Sequence, residues 1–164
     1  ILPHLDVAYR MGLALSRDPD RAEDLAQEAL LKALRSLDGL RPGTNARSWL
    51  ARVVHTTWLD QVRKDQRRAE EPWEEGLDQV ADGDEEAWQP ELMRRALNDC
   101  WEEGLALLPA EWRTTLMLVE VEGFAYEEAA EAMDIPVGTV RSRLHRARGR
   151  LHRFLEERRG CVES

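Results

Sequence analysis

The sequence predicts an all-α protein of two small helical domains joined by an acidic flexible linker, and three observations carry that prediction. Apolar residues recur every three or four positions through both halves, with no strand-like alternation and no internal repeat. Glycine and proline are sparse, ten and seven in 164 residues, while Ala, Leu, Glu and Arg abound; that balance favours helices. Charge lies in blocks: seven Lys/Arg against two Asp from Arg41 to Arg68, ten acidic residues and no basic one from Glu70 to Glu91, and eight Arg against two Glu from Ile135 to Arg159. The net charge of −9 hides two basic surfaces separated by an acidic strip.

The first helix is expected from Leu5 to Leu15, with Leu5, Ala8, Tyr9 and Leu13 among its apolar positions. Asp18-Pro-Asp20 breaks it, and Asp20 with Glu23 three residues on resembles a helix start. Ala22, Leu25, Ala26, Ala29, Leu30, Ala33, Leu34 and Leu37 then trace one apolar face. Leu31 falls instead on the polar side, among Asp24, Gln27, Glu28 and Arg35. An apolar centre with a polar rim is the composition of a protein contact, although a single exposed leucine is also ordinary.

Asp38 to Asn45 reads as a loop from its Gly, Pro, Asn and Asp content. A helix is expected from Ala46 to Asp65, burying Trp49, Leu50, Val53, Val54 and Trp58, with Arg52, Arg63 and Lys64 outward and Arg67 and Arg68 just beyond. Residues 66–90 have no period and contain Pro72, Gly76, Gly83 and Pro90, hence a linker. Trp73 and Trp88 do not suit a pure spacer and point to a surface they cover.

The second unit opens after Pro90. Leu92, Ala96, Leu97, Cys100, Trp101, Leu105 and Leu108 give one helix, Pro109-Ala-Glu-Trp opens the next, and Glu122-Gly123 stops it. A short helix from Tyr126 to Met133 and a second from Val137, joined by a tight turn, form a helix-turn-helix. Val137, Val140, Leu144, Ala147 and Leu151 make the inner stripe of its second helix. At roughly 100° per residue, Ser142, His145, Arg146 and Arg153 point away from it, with Arg141 and Arg143 on the flanks. An arginine-bearing second helix is what enters a major groove; a solvated basic face closing a helical domain is the plainer alternative.

Other classes find little support. There is no phosphate-binding, hydrolase, metalloprotease or calcium-loop motif. His4, His55, His145 and His152 do not cluster at metal-ligand spacing, and Cys100 and Cys161 form neither a disulfide framework nor a CxxC pair. No enzyme, cofactor or metal is expected. With no membrane-span or signal-peptide pattern, a cytoplasmic protein without membrane insertion is expected.

Taken together the two halves resemble group 4, or extracytoplasmic-function (ECF), bacterial sigma factors of the sigma-70 family. The sigma-2 resemblance lies in Asp20-Arg-Ala-Glu-Asp-Leu-Ala-Gln-Glu-Ala-Leu-Leu-Lys-Ala, Trp49-Leu-Ala-Arg-Val-Val and Asp60-Gln-Val-Arg63. The sigma-4 resemblance lies in Leu108-Pro-Ala-Glu-Trp-Arg, Gly123-Phe-Ala-Tyr-Glu-Glu-Ala-Ala and the run Pro136 to Arg148. It implies a sigma-2 domain over 1–67, an acidic linker over 68–90 that members thread towards the RNA exit channel, a sigma-4 domain over 91–158 and a tail over 159–164.

The implied function is an alternative sigma factor that binds core RNA polymerase and directs promoter-specific initiation through −35 and −10 contacts. Implied partners are core polymerase (β′ clamp helices and β subunit), promoter DNA and an anti-sigma factor. Asp24, Gln27, Glu28, Leu31 and Arg35 fall on the helix that docks on polymerase. Arg41, Asn45, Arg47, Trp49, Arg52, Thr56, Arg63 and Lys64 fall on the segment that reads and melts the −10 element. Gly138, Thr139, Arg141, Ser142, Arg143 and Arg146 fall on the −35 helix. The family usually has Asn where this chain has Thr56; threonine keeps a hydroxyl but loses the amide that both donates and accepts, so a relative's −10 sequence does not carry over. Two other readings are a helix-turn-helix regulator using residues 1–65 for dimerisation or sensing, and an interaction adaptor without a DNA role.

Overall fold

A computed structural model of the chain describes residues 2–69 and 101–162. Most of the expected linker, with Trp73 and Trp88, and the expected helix positions from Leu92 to Cys100 lie outside the described residues. Those described are helices and connecting turns, with no strand among them.

After a 3-10 turn at Leu2–His4, α1 (Leu5–Ser16) buries Val7, Ala8, Met11, Ala14 and Leu15. Tyr9, expected among its apolar positions, is more than a third exposed. The next helix, α2 (Pro19–Arg35), is capped by Asp18 and not by Asp20. The Asp18 carboxylate accepts from the Asp20 and Arg21 amides at 2.9 and 3.3 Å, and Pro19 takes the first helical position, where no amide is needed. Asp20 instead places negative charge in the first turn. Gly12 lets α1 and α2 touch, for a Cβ there would lie 3.0 Å from the Ala22 carbonyl oxygen.

A 3-10 turn at Leu37–Gly39 and a loop lead to α3 (Ala46–Ala69), which runs four residues past the expected end at Asp65. Asn45 starts it, its side-chain oxygen accepting from the Arg47 and Ser48 amides at 3.1 and 3.3 Å. Leu50, Ala51 and Val54 are buried, while Trp49, Val53 and Trp58 pack partly buried against the same core.

The second unit comprises α4 (Trp101–Ala106), α5 (Ala110–Leu116), a π-helical segment (Met117–Val121), α6 (Tyr126–Met133) and α7 (Val137–Val162). The π segment closes where the Glu122 amide donates to the Met117 carbonyl, 3.0 Å, and Gly123 follows at φ +69. Between α6 and α7 the turn uses Asp134 in the left-handed region, φ 54, then Ile135 and Pro136. This is the helix-turn-helix read from the sequence, with the expected boundaries.

The units are not held apart. α1, α2 and α3 pack together, α5 and α6 pack on α7, and α3–α6 and α1–α5 contacts join the two sets into one continuous apolar core. Arg113 of α5 crosses that junction. It donates to the Ala14 and Leu15 carbonyls at the end of α1 and to the Leu105 and Leu108 carbonyls of its own unit. Helix ends leave carbonyls without intrahelical donors, so one guanidinium satisfies two helix C-termini at once. Burial, with Arg17 nearby, lowers its pKa to about 10, still charged at neutral pH.

Candidate nucleic-acid and polymerase interface

The outer side of α2 carries the first candidate surface. Leu31 is 54% exposed and Leu34 56% exposed, with Leu37 beyond them. Asp24, Gln27 and Arg35 are exposed beside them and Glu28 is half-buried. The expectation that Leu34 belongs to the inner face is not met: the buried arc is Ala22, Leu25, Ala26, Ala29 and Ala33, and Leu34 lies past its edge. Leu31 therefore has an apolar neighbour, which the sequence reading missed. Glu28 accepts from the Gln61 amide at 2.7 Å and pairs with Lys32 at 3.2 Å. The Gln61 bond and the Lys32 charge together hold its pKa below the usual carboxylate value against a smaller effect of burial. These bonds fix the acidic rim to α3.

The loop before α3 and its first turns carry the second. Arg41, Asn45, Arg52, Thr56, Arg63 and Lys64 are exposed, and Arg47 and Trp49 are half-buried. The Thr56 hydroxyl lies 3.0 Å from both the Arg52 and Val53 carbonyls and donates back to its own helix. Three of these residues meet acidic groups of the second unit. The Asn45 amide nitrogen donates to Glu128 at 2.7 Å, Arg47 approaches Glu122 at 3.5 Å, and Arg52 approaches Asp134 at 3.6 Å. Glu122 is held on its other side by Arg10 of α1, and its side chain is only 6% exposed. The Arg47 guanidinium also lies over the Phe124 ring, 4.3 Å from its centre.

The third surface is the start of α7. Gly138 and Arg141 are exposed and Thr139 is half-exposed at its N-terminus, with Arg150 and Arg153 exposed further along. Ser142, expected to point outward, is only 8% exposed, and its hydroxyl donates to the Thr139 carbonyl at 3.0 Å. A short hydroxyl side chain on a helix finds its own backbone first, which removes Ser142 from the open face. Arg143 donates to Glu111 at 2.9 Å, and Arg146 lies over the Trp112 ring at 5.7 Å, so α5 braces both arginines from beneath. Arg148 is a brace within the unit, donating to Glu120 of the π segment at 3.2 Å.

Glu111 also faces the buried His55 of α3, 3.6 Å from its Nε2, and so touches both units. Burial pushes the Glu111 carboxyl up, but His55 and Arg143 together outweigh it and hold the pKa below its usual 4.5. Glu122 behaves alike: burial raises it, while Arg10 and Arg47 lower it further. A carboxylate with a depressed folded pKa contributes stability above its unfolded pKa and loses it as pH falls. The melting temperature is therefore expected to be level near neutral pH and to drop as pH falls below about 4.5. E111Q/E122Q should flatten that drop in a pH series of thermal melts; an unchanged slope would assign the acid sensitivity elsewhere.

No group of three or more His, Cys, Asp or Glu suited to a metal occurs among the described residues. No helix among them is long and apolar enough to cross a membrane.

Comparison with known proteins fits this layout. A family model described as sigma-70 region 2 matches residues 1–68, and one described as sigma-70 region 4 matches residues 98–151. The ECF RNA polymerase sigma factor SigE of Mycolicibacterium smegmatis is 36% identical over 93% of this chain, which spans 58% of that protein's length. The ECF RNA polymerase sigma factor EcfG of Rhodopseudomonas palustris is 35% identical, covering 88% of this chain and 76% of the relative. Among solved structures, the Bartonella quintana sigma factor RpoE, in complex with the anti-sigma factor NepR, superposes with a TM-score of 0.68 at 29% identity, covering 94% of this chain and 93% of that one. The chain belongs to the ECF sigma factors of the sigma-70 family.

Proposed function

We propose that this ECF sigma-70 family member binds core RNA polymerase in the cytoplasm and directs initiation at its own promoters, by binding and not by catalysis. The observation that carries the reading is the pair of basic surfaces on two matched sigma regions, one on α3 with its preceding loop and one on α7 behind a helix-turn-helix. In this reading Asp24, Gln27, Glu28, Leu31 and Arg35 dock on the β′ clamp helices. Arg41, Asn45, Arg47, Trp49, Arg52, Thr56, Arg63 and Lys64 hold the opened −10 strand, where basic groups track phosphates and aromatic rings stack on bases. Gly138, Thr139, Arg141 and Arg146 face the −35 duplex, and Arg143 reaches it from its Glu111 brace. The stretch after α3, residues 70–90, serves as the linker between the two DNA contacts.

An anti-sigma factor is the proposed negative partner, supported by the likeness to the Bartonella protein solved with one. Reconstitution tests the whole reading: with core polymerase, the chain should give discrete run-off transcripts from its source's genomic templates. The absence of any sequence-specific transcript would reject it. Within it, Arg146→Ala is expected to weaken upstream-element binding by roughly 1–3 kcal/mol and to relax preference at one base pair if the guanidinium reads a base edge. A loss of equal size on every sequence, measured by competition binding, would assign Arg146 to phosphate instead.

A further inference from the structure

The candidate −35 contacts end at Arg146, yet α7 continues to Val162. Its inner stripe continues as well. Ala147 and Leu151 are fully buried, and a Cβ on Gly104 of α4 would lie 3.0 Å from Leu151 and 3.4 Å from Phe154. That close fit against α4 holds the second half of the helix in one rotational setting. At roughly 100° per residue, Arg146, Gly149 and Arg153 lie opposite the stripe, with Arg150 at their edge. Gly149, Arg150 and Arg153 are exposed.

The arginines of α7 are of two kinds. Arg143, Arg146, Arg148 and Arg158 are braced by Glu111, Trp112, Glu120 and Glu103. Arg150 and Arg153 have no ion-pair or hydrogen-bond partner among the described residues. A brace orients a guanidinium for a base edge, whereas a phosphate contact positions the protein and carries no sequence information. Gly149 is an independent sign. Glycine inside a helix is destabilising relative to alanine, and no packing calls for it here, since a Cβ would meet nothing within 4 Å. Bare backbone between arginines, with nothing of the chain above it, suits a close approach from outside.

Dimensions say what approaches. The major groove is about 12 Å wide, and at about 1.5 Å per residue the run from Thr139 to Arg146 covers about 10 Å of it. Arg150 and Arg153 stand about 6 and 10 Å further along, past the groove and level with the phosphates that border it. Glu157 follows on the same face and ends the patch with a charge that phosphate repels.

We propose that Gly149, Arg150 and Arg153 form a second duplex contact, a sequence-independent clamp on the phosphate strand bordering the groove that α7 enters. The proposal rests on the reading of α7 as the −35 helix. It divides α7 into a braced part that reads bases and an unbraced part that adds affinity and register without base preference.

The test uses holoenzyme and two short fluorescein-labelled duplexes, read by anisotropy across a salt series. One carries the upstream element of a start site mapped by run-off transcription, and the other has that element scrambled. R150Q/R153Q should weaken both by a similar factor, about fivefold near 0.1 M salt, and reduce the slope of log K against log salt by about 1.8, two contacts at about 0.9 each. R150K/R153K keeps the charge and should keep the slope. G149L fills the open space and should weaken both duplexes about threefold while the melting temperature holds or rises, leucine being the better helix former.

An unchanged slope in R150Q/R153Q overturns the clamp and leaves the two arginines as solvated charge. A loss confined to the matched duplex overturns it too, since that is base reading. Reduced affinity for core polymerase, measured by pull-down, overturns it by making the patch a protein contact. Undiminished binding by G149L overturns the close approach on which the clamp depends. Arg146→Ala separates the two readings: a loss there on the matched duplex, with no slope change in R150Q/R153Q, rejects the clamp alone. If the unsubstituted holoenzyme does not distinguish the matched from the scrambled duplex, the −35 reading fails and the clamp with it.

Discussion

Arg113→Ala is expected to lower the unfolding free energy by roughly 3 kcal/mol, because removing one partner of a buried charged network strands the others. Arg113 is 5% exposed, and its guanidinium donates to four carbonyls at the ends of α1 and α4. Without it, the Ala14 and Leu15 carbonyls lose a donor that α1 cannot replace, and a side-chain-sized gap opens beside Leu105 and Leu108. At about 2–4 °C per kcal/mol for a chain of this size, thermal melts should fall by roughly 6–12 °C. Arg113→Lys should recover only part of the loss, since an ammonium lacks the planar fork that spans two helix ends. A shift under about 2 °C for the alanine variant would show that these carbonyls find other donors.

Leu31→Asp is expected to cut affinity for core polymerase by roughly 2 kcal/mol, about thirtyfold, while the chain's own melting temperature holds. Burying an exposed leucine at a protein contact is worth about 1.5–3 kcal/mol, and a central apolar anchor ringed by polar groups is where binding energy concentrates. Aspartate removes that gain and must also be desolvated on binding. Because Leu31 is 54% exposed in the free chain, the substitution empties no cavity, and surface changes of this kind move stability by only about 0.5 kcal/mol. Leu34→Asp should add to the effect, being equally exposed on the same side of α2. Pull-down with core polymerase and a thermal melt decide it together. Unimpaired binding removes Leu31 from the docking surface, and a melting drop beyond 5 °C would make it a core residue.

The two predictions differ in how visible their residues were. Leu31 was legible from the sequence because helical spacing is local: a leucine on the polar side of an otherwise apolar stripe stands out without knowing its neighbours. Leu34 was misplaced by the same method, since spacing gives an angle but not the width of the buried arc, which depends on what packs against α2. Ser142 failed for a related reason. Its angle is opposite the stripe, yet its hydroxyl turned back to the Thr139 carbonyl. Asp18 was passed over as the cap because the Asp20–Glu23 spacing looked like a start signal, whereas Pro19 in the first turn fixes the cap one residue before it.

What the sequence determined by itself was the all-α class, the two regions, the helix-turn-helix with its turn at Asp134 to Pro136, and the division of basic residues between α3 and α7. Each follows from periodicity, turn chemistry or charge order, and all three act over a few residues. Only the tertiary structure decided that Arg10 and Arg47 share Glu122, that Asn45 meets Glu128, and that Arg113 closes the end of α1. Those partners lie 112, 75, 83 and 99 residues apart in sequence. A pairing between two helices that each satisfy their own backbone leaves no trace in local pattern; it exists only once packing has chosen which faces meet.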